Sequence, residues 1–153
     1  MCNASPSSAS HHHLVARQDL AHKATQLNEF VVSHAASFAQ KAAETALIDG
    51  EEALAGMLAR LKENRDLCLD ALSGMPGVTV PEPDGAFYLF PKIDGLTDSF
   101  AFCRKLLEEC RVGLAPGVAF GAGGEGSVRL CYAAGREILE PALERLRSFL
   151  LRM

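Results

Sequence analysis

No basic surplus exists in this sequence: 15 lysines and arginines face 19 aspartates and glutamates, a formal net charge of −4. A nucleic-acid binder needs cations to neutralise phosphates, so that class of partner is not expected. No apolar run approaches the ~20 residues that span a bilayer, so no membrane partner is expected either. The five cysteines, Cys2, Cys68, Cys103, Cys110 and Cys131, are odd in number and form no Cys-x-x-Cys pair. Such spacing argues against a zinc site or a disulfide framework. It suits reduced, buried thiols in a cytoplasmic compartment. There is no Gly-x-Ser-x-Gly elbow for a nucleophilic serine, no Gly-Lys-Ser/Thr for a phosphate loop and no internal repeat. His22 and His34 are the only histidines outside a run at 11–13, and neither has an obvious chemical partner.

What is present is material for one core. The 153 residues are 48% hydrophobic and 22% charged, as in an ordinary globular domain. Residues 1–26 look different from the rest. MCNASPSSASHHH is rich in Ser, Ala and His without helical or strand period, and predicts a disordered leader. His11, His12 and His13 sit on that tail without fixed geometry, so no metal site is assigned to them. From residue 25 the chain is expected to start extended and become helical, with Ser33 or Ser37 as cap. Phe38, Ala42, Ala46 and Leu47 then share a face. After Asp49-Gly50, a second helix begins at Glu51-Glu52 and carries the stripe Leu54, Met57, Leu58, Leu61, Cys68, Leu69 and Leu72. It runs to Ser73, roughly 34 Å at helical rise, and Gly74-Met75-Pro76-Gly77 ends it.

Short strands follow at Val78–Val80 and Ala86–Ile93, separated by the Pro81–Gly85 turn; Pro91 marks a strand edge or end. Asp98 is placed to cap a helix to Cys110 on Phe102, Cys103, Leu106, Leu107 and Cys110. A strand at Val112–Ala115, a glycine loop, a strand at Ser127–Ala133 and a helix over 136–152 complete the chain. This order predicts an α+β fold: a small mixed or antiparallel sheet with helices packed on it, preceded by a long helix. The regular βαβ alternation of a dinucleotide-binding domain is missing.

Two features bear on chemistry. Gly121, Gly123, Gly124 and Gly126 resemble a phosphate cradle, yet a strand and not a helix follows, so a flexible connection between strands is the reading preferred. Arg129 is a lone cation among apolar strand neighbours. A guanidinium presents a planar fork that matches a carboxylate. Two readings stand on spacing alone: a ligand fork at a cleft edge, or an arginine snorkelling to solvent or paired with an acidic side chain. Glu82 and Asp84 read as solvated turn residues, and Tyr88 and Tyr132 as core or interface aromatics.

Taken together, PDGAFYLFPKI, an Asp-capped helix, VGLAPGVAFGAGGEGSVRLCYA and a closing amphipathic helix resemble the C-terminal part of class I/II aminotransferases, fold-type I enzymes that use pyridoxal phosphate. SHAASFAQKAAETAL resembles the family segment that joins large to small domain, and the long helix with Asn64-Arg65-Asp66 the interdomain helix. The resemblance covers residues 27–152. It implies that residues 27–153 are a small domain with its interdomain helix. It also implies that Arg129 binds the substrate α-carboxylate, that Gly85 and Phe87 line the substrate mouth, and that Gly117 and Phe120 shape a loop over it. The parent reaction would pass an amino group between an amino acid and a 2-oxo acid. None of Lys23, Lys41, Lys62, Lys92 and Lys105 stands in the family's Ser-Lys…Gly-x-Arg setting, so no catalytic and no cofactor-binding residue is assigned. The expectation is a C-terminal fragment that does not bind pyridoxal phosphate alone. It would act as part of a homodimer or of a heteromer with a full-length relative. The other expectation is a non-catalytic interaction module that retains the small-domain fold.

Overall fold

Residues 17–153 are described by a computed structural model, as five helices and five short strands in irregular order. Met57–Met153 forms one compact unit, and the described residues 17–56 belong to another. The histidine run at 11–13 lies outside the described residues.

In the upstream unit, helix α1 covers Gln18–Val32 and α2 covers Ser37–Asp49. Both correct the sequence reading. Residues 18–26 do not continue an unstructured leader, and 25–32 are helical, not extended. QDLAHKATQLNEF is made of good helix formers, with Asp19 in the first turn where the helix dipole favours an acid. Leu20, Ala24, Leu27 and Val31 recur at helical spacing; the Val-Val pair at 31–32 had suggested strand. Neither serine caps a helix as expected: Ala36 is the N-cap of α2, and Ser33 ends α1 at a φ of 60°.

Helix α3, Glu51–Ser73, has the bounds predicted. Its stripe is uneven, since Cys68 and Leu72 are buried while Leu54 and Leu58 are more than half exposed. Gly77 turns the chain at a φ of 70° into β1, Val78–Thr79. The predicted strand at 86–93 divides into β2, Tyr88–Leu89, and β3, Lys92–Ile93. Pro91 is the reason. It has no N–H, so its pairing with Val128 retains one bond, Val128 N–H to the Pro91 carbonyl at 3.0 Å.

Helix α4, Ser99–Cys110, starts as expected under Asp98, whose Oδ1 accepts from the Ala101 N–H at 2.8 Å. It buries Phe102, Cys103 and Leu106, while Leu107 stays 48% exposed and off the core face. The strand expected at 112–115 forms one step later as β4, Ala115–Pro116, because Arg111 closes the helix in a left-handed turn. Strand β5 is Val128–Cys131, and α5 is Arg136–Leu150.

The sheets are antiparallel throughout: β1 with β3, and β2–β5–β4 with β5 in the centre. The core lies in the downstream unit. Leu89, Val128 and Leu130 meet Phe102 and Leu106 of α4, Leu139, Leu143, Leu146 and Phe149 of α5, and Cys68 and Leu72 of α3. Burial raises the Cys68 and Cys103 thiols to about 11, which keeps both protonated and inert.

The glycine loop is not a flexible connector. It winds through 3-10 turns at Gly117–Phe120 and Ala122–Gly124. Gly117 and Gly124 pack backbone to backbone, so a Cβ on either would overlap the other's carbonyl. Gly117→Ala is therefore expected to destabilise the chain by about 1–3 kcal/mol, as overpacking does. Gly123→Ala, with open space around the added carbon, should leave the urea midpoint where it was. Equal midpoints for the two variants would show that the contact is not constraining.

Candidate functional site

Period-two alternation puts Val128 and Leu130 of β5 into the core and leaves Arg129 and Cys131 on the other face, each partly buried. Tyr88 pairs with Cys131, which makes it the diagonal neighbour of Arg129. The Arg129 Cζ lies over the Tyr88 ring, 4.3 Å from its centroid, and over the Phe120 ring, 4.4 Å from its centroid. Phe90 meets Phe120 edge to face at 5.8 Å, and Phe87 meets Tyr88 at 4.5 Å. One guanidinium thus stands in a row of four rings. Among the described residues no carboxylate is within ion-pair distance of Arg129; the ion pairs lie elsewhere, Arg65–Asp66 and Arg136–Glu140 among them.

The mouth of this face is fixed by Tyr132. Its ring is 2% exposed, and its hydroxyl donates to the Ala86 carbonyl at 2.9 Å. Its N–H donates to the Phe87 carbonyl at 3.0 Å. Its own carbonyl accepts from the Asn64 amide at 3.1 Å, and the same amide reaches the Ala134 carbonyl at 2.9 Å. These bonds hold Ala86 at a φ of 60°, a strained value for a residue with a Cβ. Burial raises the Tyr132 phenol, so it remains a donor. Gly85 sits on the exposed turn before Ala86. Phe87 is 39% exposed. It also borders an open cleft of about 620 Å³ with Met57, Leu61, Asn64 and Ala133–Glu137.

Sequence reasoning singled out Arg129, Phe87 and Phe120, which the structure brings together through Tyr88. Gly85 is two residues from Phe87 but is not part of the ring row. The clamp of Asn64 and Tyr132 was missed. Its signal was Asn64 in the stripe between Leu61 and Cys68, a polar residue at an apolar spacing. Glu82 and Asp84 are exposed, as expected.

The loop that carries Phe120 uses its amides internally. Gly117 N–H bonds the Ser127 carbonyl, Gly124 N–H that of Gly121, and Val118 N–H the Ser99 hydroxyl. Those amides are not available to cradle a phosphate. Glu125 Oε1 accepts from the Gly126 N–H at 3.1 Å and from the Ser99 N–H at 2.7 Å, so it also caps α4. No helix here is long and apolar enough to cross a membrane, and the described residues contain no cluster of metal-binding side chains.

A family profile described as aminotransferase class I and II matches residues 13–146. The chain belongs to this family. The match begins well inside residues 1–26, which were read as unrelated to it. The aspartate aminotransferase of Pyrococcus horikoshii is 40% identical over 140 residues, 90% of this chain and 36% of that protein. A probable N-acetyl-LL-diaminopimelate aminotransferase of Bacillus subtilis is 40% identical over 141 residues, covering 91% and 35% respectively. The solved aspartate aminotransferase of Thermotoga maritima superposes with a TM-score of 0.79 at 37% identity, over 90% of this chain and 34% of that one. A pyridoxal phosphate-dependent aminotransferase from Streptococcus suis gives a TM-score of 0.81 at 29% identity, over 90% and 36%. The chain spans about a third of the length of the curated relatives it matches.

The aminotransferase cofactor does not fit the residues present. It needs an enclosed lysine for its aldehyde and a carboxylate held at its ring nitrogen. Every described lysine and aspartate is exposed. Lys41 and Lys105 face Glu44 and Glu109, and no lysine lines the cleft.

The Glu125 cap makes the loop pH-sensitive. The Gly126 and Ser99 amides hold its carboxyl below the usual carboxylate range. Its charge-linked stabilisation is complete above the unfolded value of ~4.3 and is lost as pH falls through the lower folded value. The gap in urea midpoint between wild type and Glu125→Gln should be open at neutral pH and close in acid. A gap of constant width would contradict this assignment.

Proposed function

We propose that residues 27–153 are the C-terminal small domain of a pyridoxal phosphate-dependent aminotransferase together with its interdomain helix. Arg129 grips the α-carboxylate of an amino acid or 2-oxo acid, and Gly85 and Phe87 line the mouth through which that substrate passes. The reaction served is transfer of an amino group between the two. One observation carries this reading: the Arg129 guanidinium is held against two aromatic rings with no acidic side chain among the described residues to occupy its fork. A structural ion pair would have filled that fork, and a snorkelling side chain would have left the rings. The printed activities of the relatives, aspartate and N-acetyl-LL-diaminopimelate aminotransferases, agree in needing a carboxylate grip.

Alone, this chain binds a carboxylate without transaminating, because the residues that would hold the cofactor are supplied from outside it. Its unpaired cysteine chemistry suits a cytoplasmic setting. A second reading is a non-catalytic module that pairs with a full-length relative. It is favoured by the apolar side chains left exposed in α1 and α2, with Phe30 at 91% and Leu47 at 80%.

The test is a titration of the purified chain with amino acids and 2-oxo acids, followed by nuclear magnetic resonance. Saturable shifts around β5 are expected in wild type and should vanish in Arg129→Ala, while added pyridoxal phosphate should give no stable yellow adduct. Equal binding by Arg129→Ala would end the carboxylate assignment. An adduct lost on mutating a single lysine would show that the chain holds the cofactor itself.

A further inference from the structure

We propose that Phe120 and Tyr88 are positioning residues for Arg129, holding its guanidinium so that its in-plane donors stay open for a planar carboxylate. The inference rests on the reading of Arg129 as a carboxylate fork and adds the residues that preset it. An arginine side chain has about 2 kcal/mol of rotamer entropy to lose when it is fixed. An acidic partner would fix it but would consume the N–H donors that a ligand needs. An aromatic face fixes it through the ring quadrupole and accepts none of the in-plane hydrogen bonds. Both ring centroids lie 4.3–4.4 Å from Cζ, well inside cation–π range.

Each ring is itself held. Tyr88 is set by the β2–β5 register, opposite Cys131. Phe120 ends the 3-10 turn that begins at Gly117, whose neighbour Val118 is tied to Ser99 at 3.2 Å, and its ring stands at 83° to that of Phe90. Phe120 is 49% exposed, so its ring is no part of the buried core. A half-exposed phenylalanine on a pinned turn, aimed at the one strand cation, does little for stability. It presets the fork, which lowers the ordering cost of ligand binding.

The experiment uses the full chain with pyruvate as the probe carboxylate and the Arg129 Nε–H resonance as a direct reporter. Ring currents should displace that resonance from the ordinary arginine position in wild type, before any ligand is added. Phe120→Leu should return it towards the ordinary position and weaken pyruvate binding about threefold to tenfold, the range expected for one cation–π contact. Its thermal midpoint should not change. Phe120→Tyr should keep the resonance displaced and the affinity within about twofold. Tyr88→Leu, on the strand, should act in the same direction as Phe120→Leu.

An ordinary Nε–H position in wild type overturns the proposal. So does a Phe120→Leu variant with unchanged resonance and affinity, or a Phe120→Tyr variant as impaired as the leucine one. Failure of wild type to bind pyruvate would instead overturn the carboxylate reading of Arg129. The resonance, which needs no ligand, would still decide whether the rings hold the cation.

Discussion

Arg129 faces away from the core because segment 126–132 lies against 87–93 in a single register. Tyr88 pairs with Cys131, Leu89 with Leu130 and Lys92 with Ser127. Tyr132, Val128 and Ile93 add backbone bonds to Phe87, Pro91 and Gly126 in the same alignment. A slip by one residue would exchange Val128 and Leu130 for Arg129 and Cys131. It would drive a guanidinium into the core without an anion, at a cost of several kcal/mol. The hydrophobic half of the strand therefore fixes the polar half. Pro91 interrupts the ladder without shifting it, which is why the pairing resumes on its far side in the same register.

The second support is the loop between β4 and β5. Two glycines in backbone contact compress it, and Glu125 ties it to the first turn of α4. The chain thereby converts an apparently loose run of glycines into a rigid bracket that carries Phe120. A loop of ordinary residues could not make this approach, since a single Cβ at Gly117 or Gly124 meets a carbonyl. The opposite edge of the site depends on Tyr132, whose hydroxyl, N–H and carbonyl are all engaged. Together they hold the turn before Phe87 in a conformation that Ala86 would not choose alone.

The upstream residues tell a different story. Helices α1 and α2 form from sound local sequence, yet no residue of α2 is buried. A chain that spans about a third of its aminotransferase relatives, with apolar side chains outward on these helices, retains helical structure without the contacts that would cover it. The core instead gathers around β5, α4 and α5, where strand alternation and two amphipathic helices meet.

Sequence periodicity alone determined the bounds of α3, the Asp98 cap, the core face of α5 and the α+β order, because each depends on residues three or four apart, or on a cap next to its helix. The motifs around Arg129 also determined the family. Periodicity misjudged α1, where a β-branched pair outweighed good helix formers, and it read the glycine loop as flexible, because no single glycine reveals which other glycine it will touch. Only the tertiary structure decided what Arg129 meets. Tyr88, Phe120 and the absence of an acidic partner among the described residues come from chain segments joined by strand pairing and a turn. Contact between residues far apart in sequence has no local period, and it is those contacts that distinguish an open carboxylate fork from a structural ion pair.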